Sequence, residues 1–202
     1  MREEAMPADQ TSPFESEDSN DREFVGLHVE KSKIEDTTFC HCKFIDCRFS
    51  ACGFVDCAFD KCLFDRCDLS LLDVAHTSFR ETYFLASKAI GINWAQSSNP
   101  ASIHFKDCVI NYSVFFGMSL MRMKMVHCVA HEANFADANL TGAILRETDF
   151  QNSLFSNTNL TGADLEGAEN YSINPNHNTL KKTIFSLPEA ISLLGTLDII
   201  LK

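Results

Sequence analysis

Large apolar side chains recur at every fifth residue along most of this chain, and that interval decides what it can fold into. Phe24, Val29, Ile34, Phe39, Phe44, Phe49, Phe54, Phe59 and Phe64 set the period, and Leu69, Val74, Phe79, Phe84, Ala89 and Trp94 continue it. A second run, from Phe105 through Ile110, Phe115, Leu120 and Met125 to Leu160 and Leu165, keeps the interval but starts one residue out of phase, because Trp94 and Phe105 are eleven apart. A helix repeats its faces every 3.6 residues and a strand every two, so a period of five fits neither. It calls for a chain that turns a corner every five residues and sends one large side chain inward each time.

Two residues before each centre stands a small side chain. Cys42, Cys47, Cys52, Cys57, Cys62 and Cys67 hold this position in the first run; Cys108, Cys128, Ala133, Ala138, Ala143, Thr148, Ser153, Thr158 and Ala163 hold it in the second. Four corners close a square coil of twenty residues, and the 28 centres give seven coils. Stacked at the parallel-strand spacing of about 4.8 Å, these make a rod roughly 34 Å long. Stretches such as Ala138-Asn139-Leu140-Thr141-Gly142 and Ala163-Asp164-Leu165-Glu166-Gly167 resemble the A(D/N)LXX unit of the pentapeptide repeat family, and the resemblance covers residues 24–170. It implies an all-β fold, a right-handed quadrilateral β-helix.

The ends and the break read differently. Residues 1–23 hold eight acids and two bases with Pro7 and Pro13, the composition of a disordered acidic tail. Segment 95–104 interrupts the period, and its Asn99-Pro100 step signals a turn. Asn99 and His104 are therefore candidate functional loop residues. Beyond Ala168 the repeat stops, leaving residues 171–202 as a C-terminal module. There Ser186-Leu187-Pro188-Glu189 predicts a capping box, followed by a short apolar helix that stops at Gly195. A solenoid must cap its last coil. Phe185, Leu187, Leu193, Leu194 and Leu197 have no repeat position to occupy and are expected to form a homodimer interface.

The formal net charge of −11 argues against binding nucleic-acid phosphate, which repels an acidic surface. No run of about 18 apolar residues marks a membrane span, and the N-terminus lacks a basic-then-apolar signal, so an unexported bacterial cytoplasmic protein is expected. In that compartment the eight register cysteines serve as compact, reduced hydrophobes. Cys40 points outward and Cys42 inward, so Cys40-His41-Cys42 does not converge on a metal. The histidines are scattered and form no catalytic constellation; neither enzyme activity nor a cofactor is expected. Met118 and Met123 fill the small inward position in a locally wider coil.

The charge is unevenly placed. Residues 24–128 hold eleven acids and eleven bases, whereas residues 129–170 hold Glu132, Asp137, Glu147, Asp149, Asp164, Glu166 and Glu169 against Arg146 alone. Twenty-residue phasing puts Glu132, Asp149 and Glu169 on one face and Glu147, Asp164 and Glu166 on its neighbour, a candidate acidic recognition ridge.

The pattern of Phe185-Ser186-Leu187-Pro188-Glu189-Ala190 through Leu194 and Leu197-Asp198-Ile199, with Gly91–Trp94 and Lys124–Val126 upstream, narrows the resemblance. It is similar to the topoisomerase-protecting branch of the family, which includes the quinolone-resistance (Qnr) proteins and the microcin B17 and albicidin immunity proteins, and most similar to the albicidin type. That resemblance implies a C-terminally joined homodimer that mimics B-form DNA. It would bind DNA gyrase, with topoisomerase IV as a candidate second target, and relieve inhibition by a drug or toxin. The seven acids would act as phosphate surrogates. The rival reading is a generic repeat scaffold for protein–protein interaction, which scattered charge would have favoured.

Overall fold

The computed structural model describes Phe14, residues 18–98, residues 101–196 and Ile199. Short parallel strands stack on four faces. Glu23–Val25, His28–Glu30 and Lys33–Glu35 each show an exposed, buried, exposed order, so the centre residue points in and its neighbours point out. Two residues after a centre the backbone turns through the left-handed region, as at His41 (φ 54°), Asp46 (φ 53°) and Glu147 (φ 52°). That conformation is uncommon for residues with a Cβ. Here the corner N–H of each is taken up by the next coil: His41 by Asp60 O at 2.9 Å, Asp46 by Asp65 O at 3.0 Å and Glu147 by Glu166 O at 3.0 Å.

Face 1 runs through Phe24, face 2 through Val29, face 3 through Ile34 and face 4 through Phe39. On face 1, Glu23–Val25, Lys43–Ile45, Leu63–Asp65, Thr82–Leu85, Ile103–Lys106 and Met125–Val126 form one six-stranded parallel sheet. Residues twenty apart pair until Phe84 meets Phe105. The one-residue slip is therefore absorbed before Ile103, where Ser102 donates to Phe79 O and accepts from the Thr82 N–H, both at 2.9 Å. His104 consequently lies within a strand rather than a loop, because regular pairing has already resumed at the buried Ile103. Asn99, the other loop candidate, lies outside the described residues.

Stacked aromatic columns fill the interior. Phe24, Phe44, Phe64, Phe84 and Phe105 stack at successive centroid distances of 4.9, 4.6, 5.0 and 4.9 Å, and rings on adjacent faces meet edge-on, as Phe39 and Phe44 do at 5.5 Å. Phe14 closes the N-terminal end, packing edge-on against Phe24 at 5.3 Å and Phe39 at 5.2 Å. Strand Asp18–Asn20 pairs with Thr38–Cys40. These residues belong to the solenoid although composition groups them with the acidic tail: burying one ring and one strand outweighs the local charge.

The small inward position also stitches coils together. Cys42 Sγ donates to Ser19 O at 3.2 Å, Cys47 Sγ to Phe24 O at 3.4 Å and Cys67 Sγ to Phe44 O at 3.2 Å. Thr148 and Thr158 hydroxyls make the same bond, to Met125 O and Phe135 O, at 3.1 and 2.8 Å. All nine thiols are free, and all but Cys40 are buried; burial pushes Cys62 up to about 12. Alkylation of the native protein, followed by peptide mass analysis, is expected to modify Cys40 first and to leave Cys52 and Cys57 protected until unfolding. Equal labelling of all three would contradict this register.

The coils also run further than the sequence period indicates. Phe155 bridges to Ile173 and Asn159 to Thr179, and Ile184–Phe185 pairs in parallel with Asp164–Leu165. Face 1 is thus visited nine times from Phe24 to Phe185, which makes eight turns rather than seven. The last segment, Glu189–Thr196, is a 3-10 helix that contains Gly195 rather than stopping before it. No capping box forms, because the Ser186 hydroxyl accepts the Gly167 N–H of the coil below at 2.8 Å. Among the described residues no helix is long and apolar enough to cross a membrane.

Candidate functional site: an acidic corner near the C-terminal end

Register places six of the seven acids on faces 1 and 2 or at the corners of face 2. Val129, Asp149 and Glu169 stack in one column on face 2, and Ile144 and Asp164 stack on face 1. Glu147 sits at the corner between faces 1 and 2 and Glu132 at the far corner of face 2, both in left-handed turns. Asp137 is half a coil from Glu147 and lies on the diagonal corner, where Asn157 Nδ2 donates to it at 2.6 Å. It does not join the other six.

The six are not equivalent. Asp164 is held by Arg146, with Nε at 2.7 Å and Nη2 at 2.6 Å, and it accepts the Glu166 N–H at 3.0 Å. Asp149 accepts Asn170 Nδ2 at 2.8 Å, His131 Nε2 at 2.7 Å and the Gln151 N–H at 3.1 Å. Burial alone would raise both carboxyls. The hydrogen bonds, from Asn170 and His131 to Asp149 and from Arg146 to Asp164, outweigh it and hold both below the usual range. These two aspartates are half-buried parts of the scaffold and stay ionised at neutral pH. Because their folded values are depressed, their contribution to stability is present above the ordinary carboxylate range and is lost as pH falls through the folded values.

Glu132, Glu147, Glu166 and Glu169 are the exposed members. Glu147 lies 2.7 Å from His127 Nε2, while His127 Nδ1 lies 3.7 Å from Asp107. Glu166 lies 3.3 Å from Arg146 Nη2. His127, Cys128, Glu147, Asp149, Gly167 and Glu169 line an open hollow of about 350 Å³ beside this corner. A side chain at Gly167 would meet Glu147 Cγ at 2.9 Å, and its φ is +69°, so glycine keeps the corner open. Only the His127–Glu147 pair follows from coil arithmetic, at twenty residues; His131 and Asp149 are eighteen apart. Among the described residues no group of three or more His, Cys, Asp or Glu is placed to hold a metal ion.

The C-terminal apolar residues divide in two. Phe185 and Leu193 pack on the protein's own core, Phe185 against Tyr171 at 5.5 Å. Leu187 is 78% exposed, and Ile191 and Leu194 are exposed beside it. The first pair caps the last coil, whereas the second group is exposed among the described residues. Leu197 lies outside the described residues.

Against known proteins, residues 133–169 match the pentapeptide repeats family, in eight copies. No curated protein matches the chain by sequence comparison. Among solved structures, the chain is similar to a trypsin-treated variant of QnrB1, a plasmid-mediated fluoroquinolone resistance protein. The identity is 21%, the match covers 89% of this chain and 99% of that one, and the TM-score is 0.59. Full-length QnrB1 matches at 20% identity over 90% of this chain and all of the other (100%), with a TM-score of 0.53. At such identity the likeness is one of fold.

Proposed function

We propose that this pentapeptide-repeat rod protects a type II topoisomerase, DNA gyrase in the first instance, by presenting its acidic corner where duplex DNA would lie. The observation that carries this reading is the concentration of acid. Six carboxylates and one arginine fall within less than two coils, roughly 9 Å of rod, a net density near the one charge per about 1.7 Å of duplex DNA. Such a surface is steered into a cationic groove at rates that fall with salt. The fold shared with QnrB1 supports the reading. A supercoiling assay of gyrase with a panel of poisons, with and without the protein, tests it. Relief of at least one poison is expected; no relief and no association with gyrase would refute it.

The working unit under this proposal is a homodimer joined through the C-terminal module. Leaving Leu187, Ile191 and Leu194 in water forfeits about 1.5–3 kcal/mol for each side chain that could be fully buried. Changing all three to Ser spares Phe185 and Leu193, which cap the rod. Sedimentation at micromolar concentration should then show a folded monomer where the parent is a dimer. A triple variant that sediments as a dimer would place the interface elsewhere.

A further inference from the structure

Outward side chains on face 1 stand in two columns separated by two residues along each strand, about 6.6 Å. Elsewhere on face 1 ionic side chains pair, Lys43 with Glu23 along one column at 3.9 Å and Arg146 with Asp164 across the columns at 2.6 Å. The middle levels are different. Tyr83 and His104 pack in one column at 4.7 Å between ring centroids, their planes tilted by 35°, and Leu63, Leu85 and Val126 complete a groove of about 310 Å³ that is almost wholly apolar. Tyr83 is 44% exposed. The volume lies at the lower end of small-molecule sites, and the Tyr83 and His104 rings with Leu63, Leu85 and Val126 give a planar ligand an aromatic and aliphatic wall to lie against.

Donors surround this slot. Lys106 and Lys124 line it, and among the described residues neither forms an ion pair. His104 Nδ1 accepts the Lys124 N–H at 3.1 Å, so a neutral ring carries its hydrogen on Nε2, whose neighbour is Ser102 Oγ at 3.5 Å. Burial, then the nearby Lys124, lowers the His104 pKa and favours that neutral form. From the paired Tyr83 and His104 rings, the apolar groove beside them and the two lysines without ion-pair partners, we infer that this groove is a binding site for a small planar aromatic carboxylate. The ring lies in the groove against Tyr83 and the carboxylate meets Lys106 and Lys124. The site is independent of the acidic corner and of the proposed topoisomerase role.

Titration calorimetry of the full chain with 2-naphthoate tests it, with 2-naphthylmethanol as the neutral counterpart. One naphthoate per chain is expected, with Kd about 0.1–1 mM for a ligand of this size, and the alcohol should bind at least about tenfold more weakly. Tyr83→Ala should weaken naphthoate at least about tenfold. Joint Lys106→Gln and Lys124→Gln should bring its affinity down to that of the alcohol. In the unaltered protein, the His104 ring resonances should shift on titration. No binding below about 5 mM, unmoved His104 resonances, equal affinity for the alcohol, or indifference to Tyr83→Ala would each overturn the assignment.

Discussion

Phe44→Ala is expected to destabilise the protein by about 3–5 kcal/mol, whereas Phe116→Ala should cost less than about 0.5 kcal/mol. Phe44 is fully buried and stacks on Phe24 and Phe64 at 4.9 and 4.6 Å, with Phe39 and Phe49 edge-on at 5.5 and 6.1 Å. Removing its ring leaves a void walled by other rings that are themselves held in columns, so little can collapse into it. Phe116 follows a centre, points outward and is about half exposed. Urea unfolding followed by circular dichroism measures both. Since each coil touches only its neighbours, the Phe44 variant should also show a broader transition as the N-terminal coils separate from the rest. A cost for Phe44→Ala near that of Phe116→Ala would mean that the columns do not carry the fold.

Changing Glu132, Glu147, Glu166 and Glu169 together to Gln should reduce gyrase association and protection at least about tenfold at low salt and flatten their salt dependence, with the fold intact. The choice follows from the partners of each acid. Asp149 and Asp164 bind the backbone N–H groups of Gln151 and Glu166, so changing them would confuse loss of charge with loss of a turn. The same objection applies to Asn139 and Asn159, whose side-chain oxygens hold Thr141 and Thr161 N–H groups. Asp137→Asn on the diagonal corner is the cleaner control and should leave protection within about twofold. Full protection by the fourfold variant would refute recognition by charge and leave shape as the determinant.

The spacing of Phe39 to Phe64 made the square coil legible, because a centre residue must point inward whatever surrounds it. Phe14 was hidden by its neighbours: one aromatic in an acidic stretch carries no period, and only the open end of the solenoid gives it a place. The coil after residue 170 was hidden for the opposite reason. Phe155 pairs with Ile173 only eighteen residues on, so the period breaks there while the pairing continues. At the acidic corner, twenty-residue arithmetic grouped the right side chains into faces. It could not separate exposed glutamates from half-buried aspartates, since that depends on Arg146, His131 and Asn170 approaching from adjacent coils. His104 illustrates a further limit: a turn signal at Asn99-Pro100 says that the phase slips nearby, but not where pairing resumes.

A four-sided coil with one strand per side ties sequence length to angular phase. Duplicating a whole twenty-residue coil would lengthen the rod and leave every downstream face pointing as before. Duplicating a single five-residue unit would turn everything beyond it by a quarter revolution, carrying the acidic corner from one side of the rod to the next relative to the Tyr83 groove. The twenty-one-residue coil between Phe84 and Phe105 marks a third kind of change, one residue absorbed locally with no rotation at all. Lineages of such rods can therefore vary in reach by whole coils and in local shape by single residues, while gains or losses of one unit would reorient any partner bound at both ends.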